Sequence, residues 1–503
     1  MVSGSDEHGT PITVTADKMG KKPQEIVDRF YAEHESDLKR LGISCDCYFR
    51  TSHSNHKETA QEFFSKLFQK GLIEERSTQA LYCANCSRFL PDRYVEGNCP
   101  FCKARGARGD QCDACGKTLD PKDLIDAKCK ICGKSPEPRN TRLHYLLLSK
   151  LAPALTDYLR SKTGWRPNVI NFTENWLKEG LQDRAITRDL HWGVPVPLPG
   201  LEGKRLYVWF EAVIGYFSAS LEWARRAGRP EAWKEFWQDP QAESYYFIGK
   251  DNIPFHAIIW PSILLGHGGL NLPTNVPANE YLMLSGEKFS KSRGIGVALG
   301  ECLENFDADQ IRYYLASIMP ERSDADFSWD GFISKNNEEF LSVIGNLANR
   351  ILVFAAKNFG KVPEPGPFSR EDRAVAEAAA RAGRELGEAI EKCEFKKGLK
   401  EIFLLAQAGN QYFNAQAPWK LAKENPERCR SVINTSLNLC HALAVFLSPY
   451  VPATAQKIWA MLGLPGEIPS DYWSRADLPL TPGQTLGPVA PLVKKIERDP
   501  ASP

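Results

Sequence analysis

Apolar residues recur at helical spacing through the first 80 residues, alternating with short apolar runs. The positions of Ile26, Phe30 and Leu38 predict an amphipathic helix over 22–41. A second stripe of phenylalanines and leucines predicts a helix over 57–70. Helical stripes that alternate with apolar runs are typical of an α/β domain.

The pattern breaks after residue 80 and returns after residue 143. Cysteines and glycines replace large aliphatic residues in 80–140, so a metal must take the place of an apolar core there. Buried strands are predicted at 206–210 and 244–248, and a turn and a helix starting near Pro254 follow the second. The chain up to about residue 329 is therefore predicted to be α/β.

From about residue 332 onward the chain is predicted to be almost purely helical. Apolar stripes at helical spacing run through 340–352, 402–413 and 433–447. A proline-rich connector, 362–367, separates the first stripe from the second. These stripes predict a helical bundle that follows the α/β body.

Composition and charge narrow the function classes. The 503 residues are 43% hydrophobic and 25% charged, as in a soluble globular protein. A formal net charge of +1 excludes nucleic-acid binding driven by bulk positive charge, so any RNA contact must be local. We see no signal peptide and no apolar run near the length of a membrane span, which favours the cytoplasm and no membrane partner.

Eight of the fourteen cysteines form four Cys-x-x-Cys pairs within 50 residues. In a large chain without export signals, such clustering indicates metal ligation and not disulfides. Two pairs complete a closed tetrahedral Cys₄ zinc shell, so one or two structural zinc ions are expected. The spacing leaves open whether neighbouring pairs combine or the middle pairs nest inside the outer ones. The pairs are Cys83/Cys86, Cys99/Cys102, Cys112/Cys115 and Cys129/Cys132.

A Gly- and Ser-rich loop, 284–294, carries Lys288 and Lys291. Small residues let the backbone approach phosphates, and two ammonium groups can meet the charge that develops on a leaving pyrophosphate. A solvated basic loop is the alternative for such a run taken alone. The neighbouring motifs favour the phosphate interpretation.

Three further segments, 5–12, 207–216 and 249–256, carry candidate chemistry. Asp6 lies just after a predicted strand end, where open α/β sheets bind ligands, and its carboxylate can pair with a substrate ammonium. Taken singly, the acid is more often a turn or cap residue. The aromatic residues of 207–216 are more often core, and His256 is more often structural.

Together, and in this order, the four segments resemble the catalytic domain of the methionyl-tRNA synthetase family of class I aminoacyl-tRNA synthetases. The cysteine-rich insert is similar to that family's connective peptide, and the helical end is similar to its anticodon-binding bundle. The resemblance implies an α/β, Rossmann-type class I catalytic domain in two parts, a zinc-knuckle insert, a helical anticodon-binding domain and a tail. These would cover 1–78 and 141–331, 79–140, 332–480 and 481–503, respectively.

The resemblance implies a methionine–tRNA ligase that activates methionine with ATP to methionyl-adenylate and transfers it to tRNA(Met). Asp6 would hold the methionine ammonium, and phosphates clamped by Lys288 and Lys291 would bring Mg²⁺. The two lysines are also the expected catalytic residues. The other implied roles are a methionine side-chain pocket of Trp209, Ala212, Tyr216 and His256, and an ATP-binding side with Lys250 and Asp251.

The resemblance also assigns the remaining sites. Trp419 would stack on an anticodon base, with Asn346 and Arg350 bonding nearby base edges. A monomer is expected, because no appended dimerisation module follows the bundle. The implied zinc pairing is nested: Cys99, Cys102, Cys112 and Cys115 hold one ion, and Cys83, Cys86, Cys129 and Cys132 the other.

Two departures from the family pattern matter. Val213 stands where the family often has proline. The N-terminal His-x-Gly-His signature that packs on ATP is not found, and His53 and His56 lack its glycine. We therefore expect that the first βα unit is missing and that this chain is inactive or impaired.

Three alternatives follow from these features. A non-catalytic tRNA-binding or regulatory paralogue would explain the lost signature, but such a protein need not keep Asp6, His256 and the two lysines. A zinc-knuckle nucleic-acid-binding protein would be more basic. A class I synthetase for leucine or cysteine is disfavoured by the segments 5–12 and 207–216 taken together.

Overall fold

The computed structural model describes residues 1–109, 112, 114–115, 117, 119–284, 286–288, 296–476 and 478–497. The chain forms two compact units. The first comprises Met1–Ser36 and Ser44–Ala278, and the second Asp37–Ile43 and Asn279–Pro503. The five-part division given above stays a prediction.

The first unit begins with two parallel strands, Val2–Ser5 and Cys47–Arg50, with Val2 opposite Cys47. Parallel strands need a long crossover connection, and helices supply it here. These are Thr10–Met19 and Pro23–Arg40, the second of which confirms the helix predicted over 22–41.

Helices and a sheet enclose the main core of this unit. The helix Ser54–Gln69 confirms the second predicted helix and buries Phe63, Phe64 and Leu67 completely. Its partners include the fully buried Trp260. The other helices of the unit are Leu148–Arg160, Pro167–Glu179, Val208–Glu211, Gly215–Arg226, Lys234–Trp237 and Trp260–His267, the last preceded by a π-helical run, Pro254–Ile259.

A long antiparallel strand pair carries the cysteine-rich insert. Ile73–Cys83 runs against Glu137–Leu146, and Arg88–Phe89 and Arg184–Ala185 flank them. The insert lies between the two long strands along the chain and has its own small sheet of Val95–Asn98, Ala107–Arg108 and Ile125–Cys129. This unit also contains a short antiparallel pair, Thr187–Asp189 with Lys204–Leu206, and the strand Ile248–Gly249.

The strand predicted at 206–210 is only partly correct. The strand ends at Leu206, and Val208–Glu211 is helical. The amides of Phe210 and Glu211 donate to the Tyr207 carbonyl at 2.9 and 3.1 Å, so a turn replaces the ladder. At 244–248, Tyr246 and Ile248 do make sheet-type bonds, to the carbonyls of Asn275 and Pro277. The helix predicted near Pro254 begins there.

The second unit has a small sheet and a helical bundle. Leu282–Leu284 pairs antiparallel with Glu287–Lys288 and parallel with Ala325–Phe327. The three predicted apolar stripes form the bundle core and are buried. The helices are Leu299–Asn305, Ala308–Ser317, Trp329–Ser334, the π-helical Lys335–Gly345, Asn346–Asn358, Arg370–Glu391, Phe395–Gln416, Pro418–Glu424, Pro426–Leu447 and Pro452–Met461.

One helical run, Trp329–Asn358, is long and apolar enough to cross a membrane by length and composition alone, in the part of the chain that the structure describes. Its residues Phe340, Ile344 and Leu347 are fully buried in the bundle core. An apolar face buried against other helices is the ordinary arrangement of a core helix in a globular protein.

Candidate functional site: a buried acidic pocket, two thiolate clusters and an aromatic patch

A cavity of about 390 Å³ opens at the carboxyl end of the strand Val2–Ser5. This is the edge at which parallel α/β sheets bind ligands. All five residues assigned above to methionine binding line it, although they come from distant parts of the sequence: Asp6, Trp209, Ala212, Tyr216 and His256.

The strand end that carries Asp6 allows no bulk beside it. A Cβ atom at Gly4 would lie 2.4 Å from the Phe49 carbonyl oxygen, so only glycine fits between the parallel strands at this point. Asp6 follows directly after the strand, and its carboxylate accepts a hydrogen bond from the His8 backbone N–H. The backbone therefore fixes the carboxyl group at the cavity wall.

The electrostatic surroundings of Asp6 favour the binding of a cationic ligand. Burial, and then the negative charges of Glu211 and Glu7, raise the pKa of Asp6 to about 7, while the charge of His8 acts in the opposite direction. A cation that binds beside this carboxyl group would lower its pKa and favour its ionised form. The site is therefore suited to a ligand ammonium group.

Aromatic side chains build the apolar part of the cavity. Trp209 stacks on Phe255 with ring centroids 4.0 Å apart. Burial lowers the pKa of His256 to about 4, so its imidazole is neutral near pH 7. His256 Nδ1 lies 3.0 Å from the Asn252 carbonyl, which can only accept, so Nε2 accepts from the Tyr216 hydroxyl at 2.7 Å. The result is an uncharged polar pair in an aromatic pocket.

Near the cavity but outside its lining is a cluster of buried polar side chains that the sequence did not reveal, formed by His8, Glu211 and His56. Glu211 is fully buried, and its Oε1 lies 3.0 Å from His8 Nδ1 and its Oε2 2.5 Å from His56 Nε2. His56 Nδ1 lies 2.9 Å from the Ser218 hydroxyl. His56 thus belongs to this cluster. The only signals in the sequence are that His8 is two residues from Asp6 and that Glu211 precedes Ala212.

Glu7, between Asp6 and His8, has separate partners. Arg50 Nε and the Ser52 hydroxyl donate to its Oε2 at 2.8 and 2.5 Å. Its backbone N–H donates to the Thr51 hydroxyl at 2.9 Å. Glu7 therefore anchors the loop that carries Asp6 through both its side chain and its backbone.

The residues assigned to ATP are described only in part. Lys250 and Asp251 form a short helical turn, Lys250–Asn252, and the flanking Gly249 and Asn252 line the cavity. Lys288 ends the strand Glu287–Lys288. Lys291 lies outside the described residues. The clamp role of the two loop lysines stays a prediction.

The eight paired cysteines form two groups of four, with the sulfur atoms of each group within 4.8 Å of one another. Zinc–sulfur bonds of about 2.3 Å in a tetrahedron place neighbouring sulfurs about 3.8 Å apart. The Cys99–Cys115 and Cys86–Cys129 sulfur distances are 3.8 and 3.9 Å. Both groups therefore fit a zinc ion, in the nested pairing: Cys83, Cys86, Cys129 and Cys132, and Cys99, Cys102, Cys112 and Cys115.

In the bundle, Arg350 and Trp419 come together from different helices. The Arg350 guanidinium lies 5.9 Å from the Trp419 ring centre and 5.3 Å from that of Phe413, and it donates to Asn414 Oδ1 at 2.7 Å. Trp419 is 44% exposed. Asn346 is exposed one helical turn before Arg350. We call Asn346, Arg350 and Trp419 the aromatic patch.

Known protein families match both the part of the chain that contains the Asp6 cavity and the part that contains Trp419. The family described as "tRNA synthetases class I (M)" matches residues 1–352, and the "Anticodon binding domain of methionyl tRNA ligase" matches residues 362–502. The methionine–tRNA ligase of Thermoplasma acidophilum is 46% identical over 94% of this chain and 86% of its own length. That of Thermobifida fusca is 44% identical over 99% of this chain and 90% of its own length.

A solved structure matches as well. The crystal structure of Mycobacterium tuberculosis methionyl-tRNA synthetase bound by methionyl-adenylate has a TM-score of 0.79 and 25% identity, and the match covers 98% of this chain and 92% of that one. The expectation that a first βα unit is missing is not borne out by the comparisons, because the two relatives align over 94–99% of the chain. The expectation of an inactive or impaired chain is likewise not supported.

Proposed function

The chain belongs to the methionine–tRNA ligase family of class I aminoacyl-tRNA synthetases, and we propose that the Asp6 cavity is its methionine site. Its function is methionine–tRNA ligation and not non-catalytic tRNA binding. The observation that carries the proposal is that one buried carboxyl, an aromatic wall and a neutral Tyr216–His256 pair line a single cavity.

Each part of methionine has a matching group in this cavity. The ammonium pairs with Asp6, whose ionised form is disfavoured by burial and by the charges of Glu211 and Glu7. The thioether lies against aromatic rings, a contact worth about 1 kcal/mol. The Tyr216–His256 pair adds polar selection without a charge, which suits a neutral sulfur better than a charged side chain would.

Adenylate formation then requires alignment and charge stabilisation, with no covalent enzyme intermediate. Lys250 and Asp251, whose neighbours Gly249 and Asn252 line the cavity, serve the nucleotide side in this proposal. Lys288 and Lys291 clamp the phosphates, whose charge Mg²⁺ shares when ATP is bound. The structural neighbour described above holds methionyl-adenylate, which supports this assignment.

The cysteine groups bind structural zinc in this proposal. Four thiolates close each coordination shell, so neither ion has an open position for catalysis. Zinc would supply the cohesion that the small apolar core of the insert lacks. Two filled sites are proposed, because both sulfur groups have the same compact geometry.

The aromatic patch is proposed to bind the anticodon of tRNA(Met). Trp419 offers an exposed face on which a base can stack, and Arg350 and Asn346 offer hydrogen bonds to base edges. We further propose that the protein acts in the cytoplasm, as a monomer and without a membrane partner.

The test is methionine-dependent ATP–pyrophosphate exchange, followed by the variant Lys291→Ala. The wild-type chain should exchange, and Lys291→Ala should slow exchange by about 100-fold, the effect of removing one transition-state donor. Methionine affinity, measured by equilibrium dialysis, should not change. Lys357→Ala, an exposed lysine on the helix Asn346–Asn358, is the matched control. Absence of exchange would favour the non-catalytic alternative, and equal loss of exchange and affinity would contradict the clamp role.

A further inference from the structure

The His8–Glu211–His56 cluster lies outside the cavity lining, yet it is attached to the loop that presents Asp6. Asp6 and His8 are two residues apart, and the His8 backbone N–H donates to the Asp6 carboxylate. A shift of His8 would therefore shift the hydrogen bond that orients Asp6. The position of His8 is in turn set by Glu211, 203 residues later in the chain.

The packing around His8 holds this arrangement from a second direction. The Trp192 ring meets the His8 ring edge-on, with centroids 5.5 Å apart. The Trp192 indole N–H donates to the Glu7 carbonyl at 2.7 Å. One indole therefore supports both residues that follow Asp6, which leaves the loop little freedom to move.

The carboxyl groups around the Asp6 loop need positively charged partners. Three carboxyl groups face one another around the loop: Asp6, Glu7 and Glu211. Glu7 has Arg50 as its partner, and Arg50 also pairs with Asp28. Glu211 has the two histidines. For Asp6 the facing groups are Glu211, Glu7, His8 and the Tyr216 hydroxyl, and His8 is the group among them that can carry positive charge.

We propose that His8, held by Glu211, is a positioning residue that supplies the counter-charge to Asp6 and so keeps the Asp6 carboxylate ready to receive the methionine ammonium. The inference rests on the proposed methionine site. Its support is the geometry of the cluster: a buried ion pair with a backbone hydrogen bond from the same histidine to Asp6.

The charge states agree with this role. Burial opposes a positive charge on His8, but the Glu211 carboxylate outweighs it and raises the pKa of His8. Burial likewise opposes the Glu211 charge, but His8 and His56 lower the pKa of Glu211. Since both shifts favour the charged pair, His8 acts on Asp6 as a cation.

The experiment replaces His8 with asparagine, whose amide can donate to Glu211 from a position close to Nδ1 but carries no charge. Methionine KM and kcat in pyrophosphate exchange are measured from pH 6 to pH 9. At pH 7, His8→Asn should raise KM about fivefold, because a rise of about one unit in the pKa of Asp6 lowers its ionised fraction from about one-half to about one-tenth, with kcat within about twofold. The difference should shrink as the pH rises, because Asp6 ionises without help in alkaline solution. His34→Asn, an exposed histidine of the helix Pro23–Arg40, is the control.

The double variant His8→Asn with Glu211→Gln removes the cation and the facing anion together. Its KM should lie closer to wild type than that of His8→Asn alone, a non-additive result that independent damage would not give. This variant also serves if the single one fails to fold, because it does not leave the Glu211 carboxylate buried without His8.

Three outcomes overturn the inference: an unchanged KM in His8→Asn, an equal loss of kcat/KM at every pH, or a double variant worse than the single one. If the wild-type chain shows no methionine-dependent exchange, the proposed function fails instead. Methionine binding to the wild type and to His8→Asn, measured by equilibrium dialysis across the same pH range, then decides the inference separately.

Discussion

The Asp6 cavity and the aromatic patch each combine an ionisable group with aromatic rings, but they do so in opposite surroundings. Asp6 is buried with two further carboxyl groups nearby, and burial and those charges raise its pKa to about 7. Arg350 is already paired with Asn414 and lies over two rings, and Trp419 is 44% exposed. In the cavity, the Asp6 carboxyl can pair with a cation that the ligand supplies. In the patch, the Arg350 guanidinium already has a hydrogen-bond partner, and Trp419 offers an exposed ring face.

This difference indicates how each region gains binding energy. A ligand cation in the pocket relieves an unfavourable burial, so the interaction is strong and depends on pH. A base on the patch gains stacking contact, which every base can provide, so hydrogen bonds from Asn346 and Arg350 must add the selection. Substitutions in the two regions should therefore affect different steps.

The largest effect is expected from Asp6→Asn. The amide keeps the size of the side chain but cannot form an ion pair with the ammonium, and charge-assisted bonds contribute about 1.5–3 kcal/mol. kcat/KM for methionine in pyrophosphate exchange should fall by about 10- to 150-fold. An unchanged kcat/KM in Asp6→Asn would mean that the ammonium binds elsewhere.

Trp419→Ala should have the next largest effect, on a different step. Loss of one stacking platform costs about 1–3 kcal/mol, so aminoacylation at limiting tRNA should fall by about 5- to 150-fold. Pyrophosphate exchange without tRNA should be unchanged. Phe368→Ala removes another exposed aromatic side chain of the second unit and is the control. A parallel fall of exchange would remove Trp419 from the anticodon assignment.

The pH dependence of the two steps should also differ. Because the pKa of Asp6 in the empty pocket is raised to about 7 and the ammonium needs the ionised form, kcat/KM for methionine should increase as the pH rises through 7 and then level off. Over the same range, tRNA affinity should lack this step. In Asp6→Asn the step should disappear; its survival there would assign it to another group.

Arg350→Lys is expected to have the smallest effect. The charge is kept, but the planar guanidinium that covers Phe413 and Trp419 and donates to Asn414 is lost. Aminoacylation at limiting tRNA should fall by about threefold to tenfold, with exchange unchanged. A loss as large as that of Trp419→Ala would show that Arg350 acts mainly through base contacts.

Much of this organisation follows from local sequence. The helices Pro23–Arg40 and Ser54–Gln69 and the bundle stripes have strong 3.6-residue periodicity, which depends only on neighbouring positions. The cysteine pairs identify their chemistry by spacing alone, while their nested pairing came from the family resemblance and agrees with the sulfur geometry.

Other features depend on contacts that no local pattern records. Tyr207–Glu211 has strand-like composition, yet its amides turn back onto the Tyr207 carbonyl and form a helix. His8, His56 and Glu211 meet only because the fold brings together positions about 50 and 200 residues apart. Buried ion pairs of this kind require tertiary structure, so the sequence could supply Asp6 but not the groups that set its charge.

The most direct test of the pocket as a methionine site is amino-acid-dependent pyrophosphate exchange by the wild-type chain with methionine, leucine and cysteine in parallel. A buried carboxyl with an aromatic, uncharged pocket predicts that methionine supports exchange at the lowest concentration and with the highest kcat/KM. Equal or better exchange with leucine would contradict the assignment of the pocket.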